Sequence, residues 1–109
     1  MVRLSVMYPA IPGSRFDWNY YLGQHLELSQ RLLNPRGLVR IEIDKGIAGF
    51  PPGASPPFHA VGHLFFRTTA DLESALTSTA GEFVADERNY FDGRSVVQIS
   101  EVVESELLA

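Results

Sequence analysis

His59-Ala60-Val61-Gly62-His63-Leu64-Phe65-Phe66 is the stretch that decides the fold. It reads as a central strand within residues 58–67. Side chains alternate across a strand, so Ala60, Gly62, Leu64 and Phe66 share one face. These small and apolar groups suit close packing against helices. His59, Val61, His63 and Phe65 share the other face. Residues 2–8 divide the same way, with Leu4, Val6 and Tyr8 on one side and Arg3, Ser5 and Met7 on the other. A sheet with one apolar and one mixed face either meets water or lines a cavity. The aromatic and thioether groups among the polar ones favour a small-molecule cavity on the mixed face.

The flanking segments build a βαββαβ order. Pro9 ends the first strand, and residues 9–14 are turn chemistry. Residues 17–33 read as a helix with Ser14 and Asp17 as candidate N-caps. Its expected apolar stripe is Trp18, Tyr21, Leu22, His25, Leu28 and Leu32. Asn34-Pro35-Arg36-Gly37 stops it. Residues 38–45 alternate Val39, Ile41 and Ile43 against Arg40, Glu42 and Asp44, a half-buried strand. Residues 46–57 hold three Gly and four Pro and form a long loop, a class often recruited for function. Residues 71–85 read as a second helix with Thr69 as N-cap, Leu72, Ala75, Leu76 and Phe83 inward, and a break near Gly81. Residues 86–93 are a polar, aromatic loop, and residues 95–103 a last strand.

This order predicts an α+β, ferredoxin-like sandwich: a four-stranded antiparallel sheet with both helices on one face. The other face would carry Met7, Val61, Phe65 and Val96, which is poorly suited to solvent. A second copy would cover it, giving a homodimer joined through the sheet face. The 109 residues suffice for one domain, 1–109. Apolar content of 45%, charged content of 20% and a net charge of −4 suit a globular chain with no nucleic acid and no anionic membrane as partner. With no cysteine, disulfides and thiolate chemistry are excluded. No apolar run reaches membrane-spanning length and residues 1–8 do not read as a signal peptide, so the expected location is the cytoplasm.

Several segments together resemble one family. They are Arg15-Phe16-Asp17-x-x-Tyr20-Tyr21-Leu22-x-x-His25, Ala60-Val61-Gly62-His63-Leu64-Phe65-Phe66, Asn89-Tyr90-Phe91-Asp92 and Val96-Val97-Gln98-Ile99-Ser100-Glu101-Val102. They are similar to the EthD family, named for ethyl tert-butyl ether degradation, within the dimeric α/β-barrel superfamily. The resemblance spans residues 3–103. The family often reads His-x-Pro-Leu where this chain has His25-Leu26-Glu27-Leu28. The resemblance implies a ferredoxin-like fold and a sheet-to-sheet homodimer. The superfamily ranges over cofactor-free monooxygenases, cyclases, isomerases and haem-degrading enzymes, so fold kinship selects no single reaction.

His25, on the helix stripe, is the first candidate. It is either a satisfied core histidine or a general acid–base at the cavity edge. His63 is central in its strand and is the second candidate. Asp92 is the carboxylate expected to orient one of them. His59 and His63 lie ~13 Å apart on one face, too far to share a metal ion. His59 is a rim residue. Tyr21, four residues before His25, shares its face, whereas Tyr20 points elsewhere, to the surface or a dimer contact. Ser5, Met7, Val61, Phe65 and Gln98 complete the expected ligand-binding set, with Arg3 and Ser100 nearby.

No nucleophile elbow, phosphate loop or dinucleotide fingerprint is present, so neither a cofactor nor a metal is called for. The leading expectation is a cofactor-independent enzyme doing proton-transfer chemistry (cyclisation, isomerisation or oxygenation) on a small apolar oxygenated molecule in oxidative or degradative metabolism. A non-catalytic binding or accessory dimer is one alternative. Haem binding through His25 or His63 is another.

Overall fold

Strands β1 (Val2–Pro9), β2 (Arg40–Lys45), β3 (Phe58–Phe66) and β4 (Val96–Glu101) form one antiparallel sheet in the order β2-β3-β1-β4. The structure is a computed structural model that describes residues 1–108. Helix α1 occupies residues 18–33 and helix α2 spans Thr69–Glu87, so the chain runs βαββαβ and the fold is ferredoxin-like. Register is set from the two inner strands. Leu4 faces Leu64 and Val6 faces Gly62 on one side, while Ser5 faces His63 on the other. Ile41 and Ile43 extend the apolar row on β2, and Val97 and Ile99 extend it on β4.

Both helices lie on that apolar row. Leu33 of α1 and Leu72 of α2 meet Phe66, and all three are fully buried together with Val2, Leu4 and Ala75. Burying each large side chain contributes roughly 1.5–3 kcal/mol. This cluster fixes one end of the helix layer. A second cluster of Tyr8, Tyr21, Ala60, Tyr90 and Phe91 fixes the other end.

Helix α1 is not uniform. Asp17 caps it, its Oδ1 accepting from the Tyr20 N–H at 3.0 Å. Ser14 does not cap, because its hydroxyl donates to the Ile11 carbonyl and bonds His59 Nε2. After one α-turn (Trp18–Tyr20) comes a π-helical segment (Tyr21–His25), in which the Leu26 N–H reaches back five residues to Tyr21 O. An α-helix then continues over Leu26–Leu33. The wide turn shifts the inward face onto Tyr21, His25, Ser29 and Leu33. Leu22, expected on the apolar stripe, is therefore half exposed. Gly37, with φ of +96°, then turns the chain out of the helix.

Helix α2 starts at Thr69, two residues before the expected 71, and its N-cap is Thr68 in place of Thr69, with Thr68 Oγ1 accepting from the Asp71 N–H at 3.1 Å. It does not break at Gly81. The ~1 kcal/mol helix penalty of a glycine is outweighed by continued packing of Phe83 on the core, and the helix runs to Glu87. Strand β4 stops at Glu101, and the Val102 N–H bonds Met1 O instead. Residues 46–57 form the β2–β3 connection, closed by Gly46 N–H to His59 O and Gly49 N–H to Ala54 O. No described helix is long and apolar enough to cross a membrane.

Candidate active site

A cavity of about 300 Å³ opens between the sheet and the two helices. Its floor is Leu4, Val6, Ile41, Ile43, Gly62, Leu64 and Val97 of the sheet, and its roof is His25 and Ser29 of α1 with Leu76, Ala80 and Phe83 of α2. It therefore lies on the apolar face of the sheet, not on the mixed face where the sequence reading expected it. The mixed face carries a shallower, polar depression at its far end, lined by Arg3, Arg40, Glu42, Phe65 and Ser100, and away from Met7, Val61 and Gln98. The guanidiniums of Arg40 and Arg3 stand 4.2 Å and 5.9 Å from the Phe65 ring centre and cover it. On the helix side, Gly62 and Ala80 are too small to close the gap.

His25 enters this cavity from the π-helical turn, and π-turns concentrate at functional sites. Its ring stacks on Tyr21 at 5.0 Å and 11°. Its Nδ1 lies 2.8 Å from Asp86 Oδ2 at the end of α2. The other oxygen of Asp86 accepts from the Tyr20 hydroxyl at 2.5 Å and from Asn89 Nδ2 at 3.2 Å. Among the described residues, nothing bonds His25 Nε2. Burial holds the imidazole below its ordinary pKa, against the opposing pull of Asp86. Burial also acts to raise Asp86, but hydrogen bonds from Tyr20, His25 and Asn89 prevail and hold it below the usual carboxylate range. An ionised carboxylate only accepts, so the His25 proton sits on Nδ1 and Nε2 presents a lone pair.

Three tyrosines make the cavity's polar end. The Tyr8 and Tyr90 hydroxyls lie 2.8 Å apart, with their rings edge to face. Burial pushes the Tyr21 phenol to about 12 and those of Tyr8 and Tyr90 well above the ordinary value, so all three stay protonated donors. Gly62 makes room for Tyr21: a Cβ there would stand 2.6 Å from the Tyr21 hydroxyl. The hydrogen bond from Asp17 N–H to Tyr90 O ties the tyrosine loop to the start of α1.

Of the residues singled out from sequence, His25 and Tyr21 meet in this cavity. Asp92 does not join them, because its Oδ1 accepts from the Arg15 N–H at the surface. Asp86, from the helical turn beyond Gly81, takes the partner's role instead. His63 is on the opposite sheet face, its Nδ1 2.9 Å from Ser5 Oγ and its Nε2 3.0 Å from Asp44 Oδ2. Met7, Val61, Phe65 and Gln98 share that face and do not line the cavity. Tyr20 is no bystander at the surface, since it holds Asp86 and stacks on Tyr90. Glu87, Tyr8 and Tyr90 were not singled out. Only an uninterrupted second helix, carried past Gly81, would have put Asp86 and Glu87 opposite the first. No group of three or more His, Asp or Glu side chains among the described residues converges as metal ligands.

The fold and cavity define an α+β ferredoxin-like protein with an open-mouthed, mostly apolar pocket between sheet and helices. Residues 14–94 match the EthD domain, and the chain belongs to the EthD family. An EthD-like protein from Ralstonia eutropha JMP134 is 32% identical and superposes with a TM-score of 0.88, covering 96% of this chain and 94% of that one. An ethyl tert-butyl ether degradation family protein from Bacillus halodurans C-125 is 19% identical, with a TM-score of 0.70 over 93% of this chain and 97% of that one. A dimeric ferredoxin-like protein from an uncultured marine organism is 12% identical, with a TM-score of 0.55 over 99% and 100%. None of the curated proteins matches. Where the family often has proline, this chain has Glu27, and α1 runs through it without a break.

Proposed function

We propose that this EthD-family chain is an enzyme that moves a proton on a small, largely apolar, oxygen-bearing molecule, with His25 Nε2 as the base. One observation carries the reading: the Asp86 carboxylate fixes Nδ1–H, leaving Nε2 free at an apolar cavity. A base whose pKa lies below neutrality is already deprotonated at pH 7, and proton transfer by such groups contributes about 10²–10⁴-fold.

Nε2 takes a proton from a carbon beside a carbonyl, the C–H electron pair forms the C=C bond of the enolate, and the carbonyl π pair moves to oxygen. In the Tyr8–Tyr90 pair one hydroxyl accepts from the other, so one O–H remains to donate to the developing oxyanion. The His25 imidazolium then returns its proton. Returned to another atom of the enolate, it completes an isomerisation. Returned to the alkoxide formed when the enolate carbon attacks a second carbonyl, it completes a cyclisation. With dioxygen as co-reactant, one-electron transfer from the same enolate and recombination of the two radicals form a C–O bond, and the peroxide anion takes the imidazolium proton to give a hydroperoxide.

The same reading includes a homodimer across the mixed sheet face. Val96 is 51% exposed there, beside half-buried Met7 and Val61. The likeness to a dimeric ferredoxin-like protein supports it.

The test uses 2-tetralone, an apolar enolisable ketone of two rings. Its α-protons should exchange in D2O about 10²-fold faster with wild type than in buffer, and His25→Ala should lose that gain. Exchange equal to buffer, or unchanged in His25→Ala, contradicts the reading.

A further inference from the structure

Of the residues that line the cavity, Glu87 alone carries a fixed charge, and no Lys or Arg lines it. Glu87 closes α2, directly after Asp86. The Asp86 carboxylate turns to α1, where Tyr20 and His25 hold it. Glu87 turns to the cavity, where its Oε1 accepts from Ser95 Oγ at 2.8 Å. Among the described residues, no cation pairs with it, and Oε2 has no partner. The C-terminal end of a helix disfavours negative charge, so an unpaired carboxylate there costs stability. Such local violations concentrate at functional sites. Burial dominates the pKa of His25, Tyr8 and Tyr90, and the Glu87 charge adds a smaller upward push on each.

Size narrows the ligand further. An apolar cavity of about 150 Å³ admits a benzene ring, so one twice as large takes about two rings. Resting on the reading of the cavity as a ligand site, we propose that Glu87 sets the ligand class. The ligand is an uncharged, largely apolar molecule of about two rings, and it donates one hydroxyl hydrogen bond to the Glu87 carboxylate. A carboxylic acid or phosphate ester is rejected, because its anion would meet Glu87 with no basic side chain to offset the repulsion.

Calorimetric titration at pH 7.5 with three probes of one shape tests this: 2-naphthol, 2-methoxynaphthalene and 2-naphthoate. Wild type should favour 2-naphthol about tenfold over 2-methoxynaphthalene, the loss expected when a carboxylate goes unpaired, and by more over 2-naphthoate. Glu87→Gln removes the charge, and its side chain bonds nothing else that the fold needs. It should shrink the naphthol-to-naphthoate ratio at least about fivefold, with the melting temperature kept. The proposal fails if 2-naphthoate binds wild type as tightly as 2-naphthol, or if Glu87→Gln leaves the ratio unchanged. Failure of all three probes to bind overturns it together with the ligand-site reading. Intact naphthol selectivity without proton exchange in 2-tetralone removes only the catalytic reading and supports this one.

Discussion

His25 Nδ1 and Asp86 Oδ2 stand 2.8 Å apart, joining the π-helical turn of α1 to the last turn of α2. This contact spans the two helices over the cavity and fixes which nitrogen of the imidazole carries the proton. The carboxylate is itself held by Tyr20 and Asn89, so the pair is rigid from both sides.

Asp86→Asn tests the orienting role. Turnover should fall about tenfold or more with KM little changed, because the tautomer is no longer enforced. The variant also removes the two influences of Asp86 that raise the His25 pKa. The acid limb of the rate profile should therefore move to lower pH. A merely structural role for Asp86 would lower activity without that displacement.

The pH dependence of the wild type has a definite sign. The His25 pKa is lowered by burial, so the base stays neutral to below its ordinary value. Activity should hold across neutral pH and fall only as the medium becomes more acid than pH ~6.5. Stability follows the same direction. Below ~6.5 the unfolded chain takes a proton that folded His25 resists, so folding weakens as pH falls through that range. Urea titrations at pH 7.5 and 5.5, with His25→Phe as control, read the difference.

Gly62→Ala tests the fit of Tyr21. The added methyl would meet the Tyr21 hydroxyl at 2.6 Å, and that ring is packed against Tyr8, Phe16 and Trp18. Overpacking of this kind costs about 1–3 kcal/mol. Both the melting temperature and 2-tetralone exchange should drop, because the Tyr21–His25 stack shifts with the phenol.

Much of the architecture was legible because periodicity reports it directly. The alternation of Leu4, Val6 and Tyr8 against Arg3, Ser5 and Met7 gave both faces of β1, and β3 gave the matching pair. Where the cavity opens was not legible. Alternation says which residues share a face, but not whether the layer above fills it. Two local features also hid the site. A π-turn has no signature in hydrophobic spacing, so the inward face of α1 was displaced toward Leu22. Gly81 reads as a helix breaker, and tertiary packing overrode that preference. The carboxylate that orients His25 thus lay one residue beyond the expected helix end, and Asp92 was the nearer candidate in the aromatic loop.

The mixed face yields a separate prediction. Val61→Asp puts a charge at the centre of that face on β3, between Met7 of β1 and Asp44 of β2. Sedimentation velocity at micromolar concentration should show a dimer for wild type and a monomer for the variant. A wild-type monomer would contradict the sheet-to-sheet homodimer.

In the proposed reaction His25 works as a neutral, Nδ1-protonated base with a free Nε2 at neutral pH. Nitrogen-15 NMR of the imidazole at pH 7.5 reads this directly. The spectrum should show a protonated Nδ1, an unprotonated Nε2 and a titration midpoint below the ordinary histidine value, with the Nδ1 proton shifted in Asp86→Asn. An Nε2-protonated tautomer, or an imidazolium at pH 7.5, would contradict that role.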